Sequence, residues 1–186
     1  MESTTFVIGG CRSGKSSHAL RLGEAFPGRR KIFVATCVPQ DNEMCQRVQR
    51  HQQDRGPQWS TLEVPVELAE SIAQIGASAD LILIDCLTLW VSNMMLAYED
   101  QKPIDARIDL LCTLLRNPPC PVILVSNEVG AGIVPENPLA RRFRDIVGWT
   151  NQQVAAACNQ VVWMVAGLPV PIKPMATNLG MDKQGN

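Results

Sequence analysis

The sequence predicts an α/β fold: a mainly parallel central sheet with helices on both faces and a short edge strand near the C-terminus. Two observations carry this. Apolar runs at 5–8, 31–36, 81–84, 122–125 and 161–165 alternate with stretches of helical period, as strands buried on both faces do. The 186 residues suit one such domain, burying roughly 70% of its unfolded surface without metal or disulfide staples. Residues 1–173 are expected to form that domain, and 174–186, polar and containing glycine, a flexible tail.

The first apolar run leads into GGCRSGKS at 9–16, a Gly-x-x-x-x-Gly-Lys-Ser spacing, and a helical pattern opens at Ser17. Across Gly9, Gly10, Cys11, Arg12, Ser13 and Gly14 the backbone can curl so that successive N–H groups face phosphate oxygens. Lys15 brings a point charge, and the Ser16 hydroxyl is a ligand for Mg²⁺. The positive end of the helix dipole adds to the attraction. With a strand before it and a helix after it, the motif has the context its mechanism needs. The fold is therefore expected to be P-loop NTPase-like and the ligand a nucleotide.

Along 17–26, Ala19, Leu22 and Phe26 share one helical face, and His18 is expected to pack or face solvent. In 41–55, Met44 and Val48 recur at helical spacing, and Glu43, Arg47 and His51 follow one another at i, i+4. Spacing alone favours an exposed surface histidine at 51, although a neutral imidazole is a competent nucleophile toward phosphorus. The greasiest stretch, 81–98, is broken by Asp85, Thr88, Ser92 and Asn93 and reads as a strand running into an apolar helix, not a membrane span. Asp85 closes the run LILID. It is placed as a Walker B carboxylate holding Mg²⁺ or its water beside Ser16, or else as a cap on the following segment. Residues 139–158 put Leu139, Phe143, Ile146, Val147, Thr150, Val154 and Cys158 on one stripe. Arg141, Arg142 and Arg144 fall off it, as a solvated face or an anion contact. The last apolar run, 170–173, contains Pro171 and belongs at an edge.

Ligands of parallel sheets bind beyond the carboxyl ends of the strands. The polar residues gather there: the glycine loop after the first strand, Ala35, Thr36 and Cys37 after the second, Asp85 after the third, and Ser126, Asn127 and Glu128 after the fourth.

A net charge of −1 gives no basic footprint for nucleic acid or an anionic membrane. The seven cysteines, at 11, 37, 45, 86, 112, 120 and 158, form no Cys-x-x-Cys pair, and the chain has only two histidines, so a zinc site is not expected. An odd count and no signal peptide point to reduced thiols in a cytoplasmic protein, most of them small buried hydrophobes. Cys11, inside the phosphate loop, is the one exposed to oxidants.

Four segments together resemble a specific family: GGCRSGKSSHA, VATCVPQDNEMCQRVQRHQQDRGPQWSTLE, LILIDCLTLWVSN and SNEVGAGIVPENPLARRFRDIVGWTNQ. In order and spacing they are similar to the bifunctional adenosylcobinamide kinase / adenosylcobinamide-phosphate guanylyltransferase of cobalamin biosynthesis, over residues 6–173. The resemblance implies phosphorylation of adenosylcobinamide by ATP or GTP. GTP then donates GMP to that phosphate through a guanylylated histidine, matched here by His51. It also implies nucleotide contacts from residues 9–16, from Ala35, Thr36 and Cys37, from Gln52, Gln53, Asp54 and Arg55, and from Glu63 and Asp85, with a homotrimer as the assembly. Two departures stand out: Cys11 where the family commonly has Ala, and Asp85 where it often has Glu. Two rival readings remain at this stage: a small-metabolite kinase in which His51 is incidental, and a nucleotide-regulated binding protein.

Overall fold

The computed structural model describes residues 3–37 and 56–174. One sheet contains β1 (Thr4–Gly9), β2 (Lys31–Ala35), β3 (Trp59–Glu63), β4 (Leu81–Asp85), β5 (Val122–Asn127), β6 (Gln160–Val165) and β7 (Leu168–Lys173), in the order β3-β2-β4-β5-β1-β6-β7. All neighbours pair in parallel except β6 and β7. Every expected run is a strand. The sheet also contains one parallel strand beyond those expected, β3, so Asp85 ends the fourth strand in the chain and not the third.

β3 lies at an edge and carries little apolar surface; Ser60, Thr61 and Glu63 are exposed. Trp59 fixes it. Its indole Nε1 donates to Glu24 Oε1 at 2.7 Å, and its ring covers Gly23 so closely that a Cβ there would sit 2.8 Å from ring carbons. β7 is the opposite edge, where Pro169 and Pro171, two residues apart, remove donors that an inner strand would need. In β4 alternation divides the core: Ile82 and Ile84 face one layer, Leu81 and Leu83 the other, all buried.

Helix α1 (Lys15–Ala25) packs on one face, against Val7, Phe33, Leu81, Leu83, Ile123 and Val125. On the other lie α2 (Leu68–Gly76), α3 (Leu87–Ala97), α4 (Gln101–Arg116) and α5 (Pro138–Ala157). Of the expected face, Ala19 is buried and Phe26 packs half-buried against the same cluster, but Leu22 is 37% exposed; Lys15 and Gly23 complete the buried stripe. A helix pressed onto the sheet and capped by Trp59 has room for glycine at that position, not leucine. In α5, Ile146, Val147, Thr150 and Val154 are buried as expected, with Cys158 buried at its C-cap. Leu139 is 62% exposed: it sits in the first turn, where Asn137 Oδ1 accepts from Leu139 N at 2.8 Å and Ala140 N at 3.3 Å and Pro138 opens the helix. Cys112, Cys120 and Cys158 are buried, and burial pushes the Cys158 thiol up to about 12. No helix among the described residues is long and apolar enough to cross a membrane.

Candidate nucleotide site

β1 ends at Gly9, and the chain must turn at once to start α1. Two glycines make the turn possible. At Gly9 a Cβ would lie 2.5 Å from the Met164 carbonyl oxygen and 2.8 Å from Ser13 Oγ, and Gly14 has φ 91, in the left-handed region. Gly10 has open space around it, so its side is not what the fold constrains. The loop is braced from both neighbouring strands. Glu128 N, just past β5, donates to Gly9 O at 2.9 Å, and Gly167 N, in the β6–β7 turn, donates to Ser13 O at 3.0 Å.

Within the loop Lys15 is almost fully buried, its Nζ donating to Gly10 O at 2.6 Å and to Ser13 Oγ at 3.5 Å. Burial holds its pKa below the ordinary 10.5, while Cys86, Cys11 and Asp85 pull the other way. Asp85 is thus close enough for its charge to be felt at the lysine. Ser16 follows in the first turn of α1, half-buried.

The sheet register gathers a second group. Ala35 pairs with Glu63 on one side and Asp85 on the other, and Asp85 pairs with Val125. Alternation from Trp59, Phe33, Leu83 and Ile123, all in the α1-side cluster, puts Glu63, Ala35, Asp85 and Val125 on that face. One step further along, Asn127 pairs with Gly9 on the same face. Carboxylates from two strands and the phosphate loop therefore share one edge and one face.

Thr36, expected to touch nucleotide, has every donor engaged within the protein. Its N donates to Asp85 O at 3.2 Å and its hydroxyl to Cys86 O at 2.8 Å. That hydroxyl also accepts from Cys86 N at 2.9 Å, and Thr36 O accepts from Asn93 Nδ2 at 2.7 Å. It ties β2 to the end of β4. Cys37 is half-buried, and Cys11 and Arg12 are exposed on the loop.

The arginines of α5, expected as a solvated face or an anion contact, bond backbone carbonyls. Arg144 donates to Ile133 O at 2.9 Å and to Gly130 O, and Arg141 to Pro135 O at 2.9 Å and Glu136 O at 2.6 Å. Arg142 reaches Glu99 O at 3.1 Å. Together with Glu128, which accepts from Gly130 N, Arg141 and Arg144 fasten the 128–137 loop beside the phosphate loop. No local pattern signals these contacts, because their acceptors are backbone carbonyls. His51, Gln52, Gln53, Asp54 and Arg55, with the expected helix at 41–55, lie outside the described residues. A depression lined by Phe26, Gly28, Asp80, Pro119 and Pro121 sits at the other end of the sheet, where strands begin. Its one carboxylate, Asp80, is spent on the backbone N–H groups of Arg29 and Arg30.

Among solved structures the RadB recombinase is similar at a TM-score of 0.51 and 18% identity, covering 87% of this chain and 73% of that one, a likeness of fold alone. The fold is that of a P-loop NTPase. A relative 41% identical over 167 residues, spanning 90% of this chain and 95% of its own, is the bifunctional adenosylcobalamin biosynthesis protein CobP of Pseudomonas aeruginosa. The corresponding protein CobU of Salmonella typhimurium is 40% identical over 179 residues, spanning 90% of this chain and 98% of its own. The family model for cobinamide kinase / cobinamide phosphate guanyltransferase matches residues 5–172, taking in the phosphate loop, Glu63, Asp85 and the braced 128–137 loop. The chain belongs to the cobinamide kinase / cobinamide phosphate guanyltransferase family of enzymes.

Proposed function

We propose that this enzyme phosphorylates the aminopropanol hydroxyl of adenosylcobinamide with ATP or GTP. It then transfers GMP from GTP to that phosphate, releasing pyrophosphate and adenosylcobinamide-GDP. The observation that carries the reading is the family match across residues 5–172. The phosphate loop supports it.

Loop N–H groups and Lys15 hold the triphosphate, the lysine exchanging its contact with Gly10 O for phosphate oxygens. The Ser16 hydroxyl and the Asp85 carboxylate are hard oxygen donors, the kind Mg²⁺ takes. Bound there, Mg²⁺ neutralises charge on the phosphates. Ala35, Cys37, Glu63, Asp85 and the segment from Gln52 to Arg55 contact the nucleotide, with Thr36 holding the strand ends in place.

In the second reaction a nitrogen of His51 attacks the α-phosphorus of GTP. An N–P bond forms, the P–O bond to pyrophosphate breaks, and the imidazole proton passes to solvent. A phosphate oxygen of adenosylcobinamide phosphate then attacks the same phosphorus and the N–P bond breaks. We place the enzyme in the cytoplasm as one domain over residues 1–173 with a flexible tail, and as a homo-oligomer, a trimer by likeness to its family.

The test is covalent labelling. Incubated with Mg²⁺ and GTP labelled at the α-phosphate, the denatured wild-type chain is expected to carry acid-labile label that His51→Ala lacks. Label absent from both, with nucleotide binding intact, would leave a kinase without a covalent step.

A further inference from the structure

We infer that Asn127 is a catalytic residue of the phosphorylation step, its side-chain amide donating to the terminal phosphoryl group of a nucleoside triphosphate held by the 9–16 loop. The inference rests on reading that loop as the triphosphate site.

β5 runs between the phosphate-loop strand and the Asp85 strand. Asn127 is its last residue, paired with Gly9 and two residues beyond the Val125–Asp85 pair, on the face shared with α1. It is the first residue of β5 to clear the core on that face.

Two helices are committed to holding its backbone. Asn127 N donates to Thr88 Oγ1 of α3 at 2.9 Å, and Asn127 O accepts from Asn151 Nδ2 of α5 at 3.1 Å. Thr88 and Asn151 are both buried. The next residue is pinned as well, through Glu128 N to Gly9 O at 2.9 Å. Yet among the described residues no hydrogen bond reaches the Asn127 side chain, which is half-buried.

Asparagine is a poor strand residue, and an amide taken partly out of water without a partner costs stability. A rigidly fixed residue with an unused amide, beside a phosphate loop, is what a preorganised donor requires. Its chemistry suits a phosphoryl group. The amide is neutral and carries two N–H donors, so it can follow charge on the equatorial oxygens without adding repulsion. Lys15 and the loop N–H groups stand at the start of α1 and Asn127 at the end of β5, so the amide adds a donor from a separate element.

The experiment measures turnover and binding together in Asn127→Ala and the near-isosteric Asn127→Asp. For Asn127→Ala, kcat for phosphorylating adenosylcobinamide is expected to fall about 10²-fold, the scale for one lost transition-state donor. The ratio of Mg–GTP to Mg–GDP affinity is expected to drop about fivefold with GDP affinity unchanged, as for one modest hydrogen bond. Asn127→Asp should lower the ratio further, since it places a negative charge against the phosphate. An unchanged GTP:GDP ratio in both variants overturns the contact. Should the alanine variant fail to fold, the aspartate variant alone decides. Because the ratio needs no corrinoid, a wild-type protein that fails to phosphorylate adenosylcobinamide would sink the proposed function, and Asn127 would still be judged on GTP and GDP.

Discussion

At the β5–β1–β6 centre of the sheet, the main chain is held by main-chain groups and, at Asn127, by the side chains of Thr88 and Asn151. Gly9 O and Ser13 O are fixed by main-chain N–H groups from the two neighbouring connections, and Asn127 is gripped at both its N–H and its carbonyl. At the β3–β2–β4 wing one threonine hydroxyl joins the strand ends, and Glu63 stands exposed on an edge strand. The phosphates are common to every nucleoside triphosphate, so the centre can be rigid and general. A base and an acceptor substrate differ from case to case, and in the proposed function the side chains at the strand ends of the wing are the ones that meet them. Under the proposed function, binding strength is expected to reside in the centre and selectivity in the wing.

The largest expected effect tests the centre. Lys15→Ala is expected to lower kcat/KM of both reactions by about 10³-fold, the upper end for one electrostatic contact. Loss of only one activity would show that the two reactions use separate phosphate sites. The buried ammonium also sets a pH signature. Because burial lowers the Lys15 pKa in the folded state, the lysine loses its proton at a pH where an ordinary lysine, near 10.5, is still charged. GTP affinity therefore falls as pH rises through the lowered pKa, and GTP binding in that range takes up protons. Stability moves the opposite way: the unfolded chain binds more protons between the two pKa values, so the unliganded fold gains stability there as pH rises. Calorimetry in buffers of different ionisation enthalpy checks the proton uptake, which Lys15→Ala should abolish.

The same contrast explains what could be read from the sequence. The phosphate loop and Asp85 were legible because their logic is local: fixed spacing, a strand before, a helix after. β3 was not, since WSTLE shows no apolar run; it is held by Trp59 against Gly23 and Glu24, residues far away in sequence. The α1 stripe departs at Leu22 for a related reason, as a lysine and a glycine, which hydrophobic periodicity does not count, fill the buried positions either side of Ala19. The loop-fastening role of Arg141 and Arg144 depends on carbonyl acceptors that carry no residue-type signal. Asn127 is visible as a polar strand end, but its clamped backbone and half-buried side chain, which set it apart from the buried Ser126, are not.

A middle-sized effect tests the wing. Thr36→Val keeps the shape and removes the hydroxyl that serves Cys86 O and Cys86 N. Leaving those groups unpaired is expected to cost about 1–3 kcal/mol, read as a lower melting temperature. GTP affinity should fall with it, because Asp85 immediately precedes Cys86. The expected drop in melting temperature with affinity intact would mean that the wing does not depend on this latch, and the comparison would fail on that side.

The smallest effect returns to the centre through its brace. The β6–β7 turn has φ 50 at Ala166 and φ 85 at Gly167, the signs of a two-residue turn with both central residues left-handed. Alanine is poorly suited to the first position, where Asn is favoured because its side chain tolerates that conformation. Ala166→Asn is therefore expected to stabilise the protein by about 1 kcal/mol, roughly 2–4 °C in melting temperature for a chain of this size. Gly167 N would keep its bond to Ser13 O, so GTP affinity should stay within about twofold, a few tenths of a kcal/mol. A melting temperature that rises while affinity falls well beyond that would show that the phosphate loop needs the turn to yield. The centre would then be a strained element released by nucleotide, not a rigid one.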